Sequence, residues 1–305
     1  MQVEREIKFF LTPEAARRVA RHVRASGPWR RRIVSNSYYD TANERLRRAG
    51  VALRLRRDGA RRLQTLKADA AAHAGLAARS EWEIAAPGGK LEPAAFPHTE
   101  IMASTGLDLG RVAKKLRPVF ETRFTRRSAP VALDGAARAE QCVDVGYVAA
   151  QGRKEPINEL EIELQAGDAR ALLRYAERLS PALGLELAFE SKAERGYRLA
   201  SRQATPPPRK WPKPKLGERA TPAEAFAALF AAALAQAGAN ARGVAHARDP
   251  EYLHQLRVGL RRLRSALRAF RPLVGRARPV VRRLRAFMPT FGAARDWDVF
   301  VEWLQ

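Results

Sequence analysis

Five prolines crowd into residues 203–217, Gln-Ala-Thr-Pro-Pro-Pro-Arg-Lys-Trp-Pro-Lys-Pro-Lys-Leu-Gly. Proline locks φ and removes a backbone donor, so neither a helix nor a central strand can run through this stretch. The chain must break here into two parts joined by an extended, semi-stiff linker. The hydrophobic period changes across the break. Before it, alternation predicts β segments at 3–10, 51–57, 61–68, 79–85, 119–127, 131–134, 141–149, 157–165 and 186–191, with helical stretches at 12–25, 106–116 and 168–180. After it, the 3.6-residue period predicts helices at 221–241, 249–273 and 277–304. The expected organisation is an α+β domain over 1–202, a linker over 203–217 and an all-α segment over 218–305.

Composition narrows the function classes. A hydrophobic share of 46% excludes global disorder. The single cysteine, Cys142, excludes a disulfide framework and a cysteine zinc site, and reads as a core thiol. The apolar stretch 223–237 is mostly alanine, carries Glu224 and reads as too short for a membrane span, so no membrane partner is expected. The N-terminus lacks an apolar signal core, and a cytoplasmic protein is expected. The net charge of +24 points to a polyanionic partner. Nucleic acid is disfavoured, because no helix-turn-helix, zinc or RNA-stacking motif is visible.

In the β-rich part the alternation carries charge. Residues i and i+2 of a strand share a face. Glu4, Glu6 and Lys8 therefore lie opposite Ile7 and Phe9, while Arg54 and Arg56 lie opposite Leu53 and Leu55. Likewise Arg79, Glu81 and Glu83 oppose Trp82 and Ile84, and Glu159, Glu161 and Glu163 oppose Leu160 and Ile162. Lys67 follows Leu66 in the same manner. One such strand is an ordinary wet face, but five together are not. Rows of carboxylates repel unless a cation compensates. Hard oxygen ligands suit Mg²⁺ or Mn²⁺, and arginine forks match phosphate oxygens. A closed sheet would turn these faces into the lining of a lumen for a metal-bound polyphosphate.

These residues carry a family resemblance. Glu4-Arg5-Glu6-Ile7-Lys8 resembles the Glu-x-Glu-x-Lys signature of CYTH domains, the triphosphate tunnel metalloenzymes. Tyr39-Asp40-Thr41, Leu53-Arg54-Leu55-Arg56, Thr65-Leu66-Lys67, Arg79-x-Glu81-x-Glu83, Glu159 to Leu164 and Ser191-Lys192 resemble later elements in the same order. The resemblance implies an antiparallel β-barrel tunnel with flanking helices that hydrolyses inorganic triphosphate with Mg²⁺ or Mn²⁺. It implies metal ligation by Glu4, Glu6, Glu161 and Glu163, with Glu159 and Asp144 nearby. Phosphate contacts are implied for Lys8, Arg54, Arg56, Lys67, Arg123 and Lys192, with Arg126 as a further member. Glu81 and Glu83 would bind a second metal or orient the attacking water, and Lys8 and Lys192 join them as catalytic residues. Arg195 would balance carboxylates. Tyr38 and Tyr39 read as packing residues.

In the helical part, Leu253, Leu256, Leu260, Leu263 and Leu267 form a core seam, with Asp249 as the N-cap. His254, Arg257, Arg261, Arg264 and Arg268 follow the same spacing on a second stripe. No acidic residue lies between Tyr252 and Val281 to neutralise it. This helix, and Gly292-Ala293-Ala294-Arg295-Asp296-Trp297-Asp298-Val299, resemble CHAD domains, helical modules associated with inorganic polyphosphate. The resemblance implies long-chain polyphosphate as a partner, association with polyphosphate granules, and a segment that is a truncated CHAD domain. The leading expectation is an inorganic triphosphatase with a polyphosphate-binding module. The alternatives are a non-catalytic polyphosphate binder, an adenylate cyclase and a thiamine triphosphatase.

Overall fold

The computed structural model describes residues 2–23, 25–69, 77–211, 214, 216–247, 249–275 and 277–291. They fall into two compact units, divided after residue 204.

The first unit contains β1 (Gln2–Phe10), α1 (Pro13–His22), β2 (Arg30–Asp40), α2 (Arg45–Arg48), β3 (Val51–Asp58), β4 (Arg61–Asp69) and β5 (Ala77–Ala85). It continues with α3 (His98–Thr105), α4 (Leu109–Ala113), β6 (Arg117–Ala132), β7 (Arg138–Ala150), β8 (Arg153–Ala166), α5 (Ala169–Leu183), β9 (Glu186–Leu187) and α6 (Lys192–Ala200). The sheet order is β5-β4-β3-β2-β6-β7-β8-β1-β9, with every pairing antiparallel. β1 also pairs with β5 over Gln2–Glu6, so β1 to β8 return on themselves as the expected antiparallel barrel.

Several elements differ from the sequence expectation: α2 and α3 are added, the helix at 106–116 shortens to α4, and the strand at 186–191 shortens to β9. β2 is a full strand, although Arg30-Arg31-Arg32 and the serines mask its alternation. β6 is continuous through Pro130, because pairing with β2 ends at Ser128 and beyond it only the Pro130 carbonyl is engaged, by the Ser26 amide, so no partner strand needs the missing N–H.

Both faces of the barrel wall carry buried clusters, for different reasons. On the outside, Ile7, Phe9, Leu160 and Ile162 pack with Val19 of α1 and Leu172 of α5. Leu53, Leu66 and Trp82 pack with Leu46 of α2, Ile101 of α3 and Leu109 of α4. A third cluster forms on the inner face, where Tyr38, Phe120, Phe124, Val148 and Ile157 meet Tyr197 of α6. α6 starts with a capping box at Ser191 and Glu194. A Cβ on Gly196 would fall 2.0 Å from the Phe120 ring, so only glycine lets the helix approach this closely. Asp40 fixes the same end. Its carboxylate accepts from the Leu46 and Arg47 amides and from the Tyr197 hydroxyl, at 2.9, 3.0 and 2.8 Å.

The second unit contains α7 (Pro222–His246), α8 (Glu251–Ala269), α9 (Arg271–Val274) and α10 (Arg278–Phe287). α8 stops short of the expected residue 273, because Pro272 opens α9. Asp249 Oδ1 accepts from the Glu251 amide at 2.8 Å, although Pro250 occupies the N-cap position. α7 and α8 are joined by a buried amide pair, Gln236 to Gln255 at 2.6 Å, and by Gly243, whose hydrogen faces the Tyr252 ring. Of the helix expected over 277–304, residues 292–304 lie outside the described residues, as does the motif at 292–299.

The Pro-rich segment packs against this unit instead of serving as a bare spacer. Asn240 exchanges two hydrogen bonds with the Arg209 backbone, at 3.0 and 2.9 Å. The Tyr252 hydroxyl donates to the Pro206 carbonyl, and Arg262 lies 4.3 Å from the Trp211 ring centroid. The sequence expectation for 223–237 is also corrected. That run lies in a 25-residue helix long and apolar enough to cross a membrane by length and composition. The same helix carries the buried polar side chains of Gln236 and Asn240.

Candidate active site

The strand register decides which charged residues share the barrel interior. Directly paired residues lie on the same face. Arg54 pairs with Tyr38 and Arg56 with Asn36; Lys67 pairs with Glu81, Glu6 with Glu163, and Lys8 with Glu161. Asp144 pairs with Glu159 and with Arg126. Glu4, Glu6, Lys8, Arg54, Arg56, Lys67, Glu81, Arg126, Asp144, Glu159, Glu161 and Glu163 therefore line one interior, while Glu83 is exposed at its edge.

Three regions follow one another along this interior. Next to α6, the Lys192 ammonium binds Glu159, Glu161 and Asp144 at 2.7, 2.8 and 2.9 Å. Its donors thus face carboxylates here, where the resemblance implied a phosphate contact. Burial alone would raise the Glu161 carboxyl, but Lys192, Lys8 and Arg126 hold it well below the usual carboxylate range. Arg195 binds Glu159 at 2.6 Å and Glu155 at 2.9 Å, the balancing role expected of it.

The second region is cationic. Arg126 grips Asp144 through Nε and Nη2 at 2.8 and 2.7 Å and reaches Glu161 at 2.5 Å. Arg56 Nε donates to Asn36 at 2.9 Å. Burial, with Arg54 and Arg126 alongside, pushes its guanidinium down to about 10. Arg54 is buried, its nearest carboxylate is Glu81 at 3.8 Å, and its Nε has no hydrogen-bond partner. Arg32 Nε has no partner either, although its Nη1 lies 3.3 Å from Asp58. Buried donors without acceptors are costly.

The third region is anionic. Glu4 and Glu81 are held by Lys67 at 2.5 and 3.5 Å, and Glu6 by Lys8 at 3.1 Å. Glu163 is pushed up to about 7, by burial first and then by Glu4, Glu6 and Glu81. Among the described residues no three histidine, cysteine or carboxylate groups are already gathered as a metal cage. The donor set still fits a divalent cation, because these four carboxylates repel one another with two lysines to compensate.

Several expectations change here. Arg123 is exposed on the opposite face from Thr122, Phe124 and Arg126, so it does not line the interior. Asp144, Glu159 and Glu161 are engaged by cations. The Arg79 side chain lies outside the described side chains. Cys142 is buried, yet it sits on the charged face, paired with Glu161 and Ser128. Sequence reasoning missed Arg32 and Asn36, because β2 was not recognised. The run Arg32, Val34, Asn36, Tyr38, Asp40 at period two was the available signal. Tyr38 stacks on Phe120 at 4.4 Å as a packing residue should. Its hydroxyl also meets Arg54; burial would raise it, but Arg54, Arg56 and Lys192 lower it overall.

In the second unit, His254, Arg257 and Arg264 are half-buried and Arg261 and Arg268 exposed. The four arginines form no ion pair among the described residues.

The CYTH domain family matches residues 2–197, and the chain belongs to that family. The CHAD domain family matches residues 228–305. An inorganic triphosphatase of Haemophilus influenzae is 29% identical over 208 residues, covering 66% of this chain and 56% of that protein. The chain thus spans little more than half the length of that relative. A solved Hippeastrum protein, described as having a dominant triphosphatase activity, shares 16% identity at a TM-score of 0.47, covering 67% of this chain and 98% of its own. The PH1819 protein of Pyrococcus horikoshii shares 18% identity at a TM-score of 0.40, over 66% of this chain and 99% of its own.

Proposed function

We propose that this chain hydrolyses inorganic triphosphate to diphosphate and phosphate inside the barrel, with a divalent metal such as Mg²⁺ or Mn²⁺. The observation that carries this reading is the juxtaposition of orphaned arginine donors with a carboxylate group short of cations. Triphosphate with its metal is the ligand class that satisfies both. In this reading Glu4, Glu6 and Glu163, with Glu81, hold the metal, which would neutralise charge developing on the phosphate oxygens. Arg54, Arg56, Arg126 and Lys67 bind phosphate oxygens and keep the chain in line. Glu81 or Glu83 orients a water and takes its proton as the water oxygen bonds to the terminal phosphorus and the bridging P–O bond breaks. Lys8 and Lys192 set the charge and position of Glu6, Glu161 and Glu159. The name of the Haemophilus influenzae relative supports the inorganic substrate over ATP or thiamine triphosphate. Phosphate release from all three and from longer polyphosphate, with Mg²⁺ or Mn²⁺, tests it; no release from triphosphate under any condition would overturn it.

Register makes a sharp contrast. Arg54→Ala is expected to weaken triphosphate binding about tenfold or more, since a charged hydrogen bond contributes about 1.5–3 kcal/mol. Arg123→Ala should leave affinity within about twofold, because that side chain faces outward. Calorimetric titration of both variants checks this, and equal losses would mean that the assigned register is wrong.

The second unit supports a further reading as a site for long-chain polyphosphate, carried by the arginines of α8, which form no ion pair among the described residues. Successive members of the stripe rise about 4.5–6 Å, so one extended chain can meet several. Arg257→Glu with Arg261→Glu is expected to weaken long-polyphosphate binding strongly at low salt and little at high salt. Unchanged affinity at low salt would leave the stripe as a solvated face.

A further inference from the structure

The helices that wrap the barrel leave part of its outside bare. α1 and α5 cover β1 and β8, and α2, α3 and α4 cover β3, β4 and β5. The outer face in the middle of β2, β6 and β7 packs with neither group, although Val131 and Tyr39 at the strand ends do. Its cross-strand rows are set by register: Ile33, Thr125 and Val145 form one, and Ser35, Arg123 and Tyr147 the next, with Arg57 beside Ser35. Ile33 is 50% exposed and Val145 45%, unusual for β-branched residues in the middle of a sheet. Cations surround this apolar centre. Arg31 and Arg127 form the adjoining pair, and Lys154 Nζ lies 4.6 Å from the Tyr147 ring centroid. Among the described residues, Glu121 is the acidic group on this face. Arg31, Arg57 and Arg123 are exposed and form no ion pair among the described residues.

We propose that this bare sheet face binds single-stranded nucleic acid. Charge complementarity selects an anionic partner, and the apolar centre selects among anionic partners. A phosphate-only polymer has nothing to place on Ile33, Val145 and Tyr147, whereas bases can stack there while phosphates meet Arg57, Arg123 and Lys154. Single-strand binders combine such a cationic track with an aromatic platform. Strands lie about 4.8 Å apart, so Arg57 and Arg123, two strands apart, sit about 10 Å from each other and frame the width of one extended strand. The surface lies outside the barrel interior and is independent of the hydrolysis proposed above.

Fluorescence anisotropy of the full chain with a labelled oligothymidylate tests this. Arg57→Glu with Arg123→Glu is expected to lower affinity about 30-fold, and Tyr147→Ala about tenfold, while Tyr147→Phe retains binding. The logarithm of affinity should fall with the logarithm of salt at a slope of about −3, for roughly four phosphates at −0.7 each. Phosphate release from triphosphate should stay within about twofold in Tyr147→Ala, so a failure here is separate from a failure of the hydrolase reading. Wild-type affinity in Arg57→Glu/Arg123→Glu, with loss in Arg257→Glu/Arg261→Glu, would overturn the proposal and assign oligonucleotide binding to α8. Unchanged affinity in Tyr147→Ala with loss in Arg57→Glu/Arg123→Glu would also overturn it, in favour of a phosphate-only surface.

Discussion

Replacing Lys192 with methionine is expected to destabilise the first unit by about 3–5 kcal/mol, the cost of leaving buried charge uncompensated. The Lys192 ammonium touches Asp144, Glu159 and Glu161, all within 2.9 Å. All four groups are buried. Methionine reproduces the side chain only as far as Cε and supplies no donor. Arg126 and Arg195 would then face three carboxylates whose mutual repulsion is no longer offset. α6 should loosen as well, because Lys192 opens it and Tyr197 further along it is tied to Asp40. Urea denaturation measures the loss directly. Lys192→Arg keeps the charge and should recover part of it. A change below about 1 kcal/mol would mean that the carboxylates carry protons and that the ionic account of this end of the barrel is wrong.

Glu163→Gln is expected to abolish hydrolysis while making the metal-free protein more stable. The two halves have one cause. Glu163 is pushed up to about 7 by burial and by Glu4, Glu6 and Glu81, against an ordinary 4.5. An acid raised on folding contributes stability that is fully present below pH 4.5 and lost as pH rises towards 7. The full difference is about 3 kcal/mol. A neutral amide removes that dependence, so in chelator at pH 8 the variant should melt higher than the parent, and at pH 4 the two should converge. The same amide removes one anionic oxygen donor, and loss of a metal ligand should cost more than about 100-fold in rate, since even groups behind the ligands cost 10–100-fold. Calorimetry across pH and a phosphate-release assay read the two effects separately. A variant that turns over normally at low metal concentration would remove Glu163 from the metal site.

Much of the fold was legible in the sequence because alternation and charge coincide. Wherever apolar residues mark the outer face, as Leu53 and Leu55 do, the charged residues between them must share the other. Glu4, Glu6, Arg54, Arg56 and the three glutamates of β8 are thus assigned to one lining by the sequence pattern alone. β2 was not legible, because its apolar residues are split between the faces: Val34 and Tyr38 share the inner face with Arg32, Asn36 and Asp40, while Ile33 and Tyr39 share the outer face with Ser35 and Ser37. Arg123 was placed inside because it lies in the right strand, yet one residue of register separates the interior from solvent. The structural role of Lys192 was hidden for a different reason. Its three partners come from β7 and β8, at a distance in sequence that no local pattern spans.

The residue order by itself determined a barrel-like α+β part, a helical part and a charged lining, since period and proline placement act locally on the backbone. Tertiary structure alone decided how that lining is divided. Closure through the β1–β5 pairing and the seating of α6 on Phe120 bring together side chains from eight strands and a helix, and the balance of charge at each level depends on distances between them. Coulomb interaction falls with separation and grows with burial, and neither quantity exists in a linear sequence. The separation into ion pairs around Lys192, orphaned arginines, and carboxylates short of cations is therefore a property of packing.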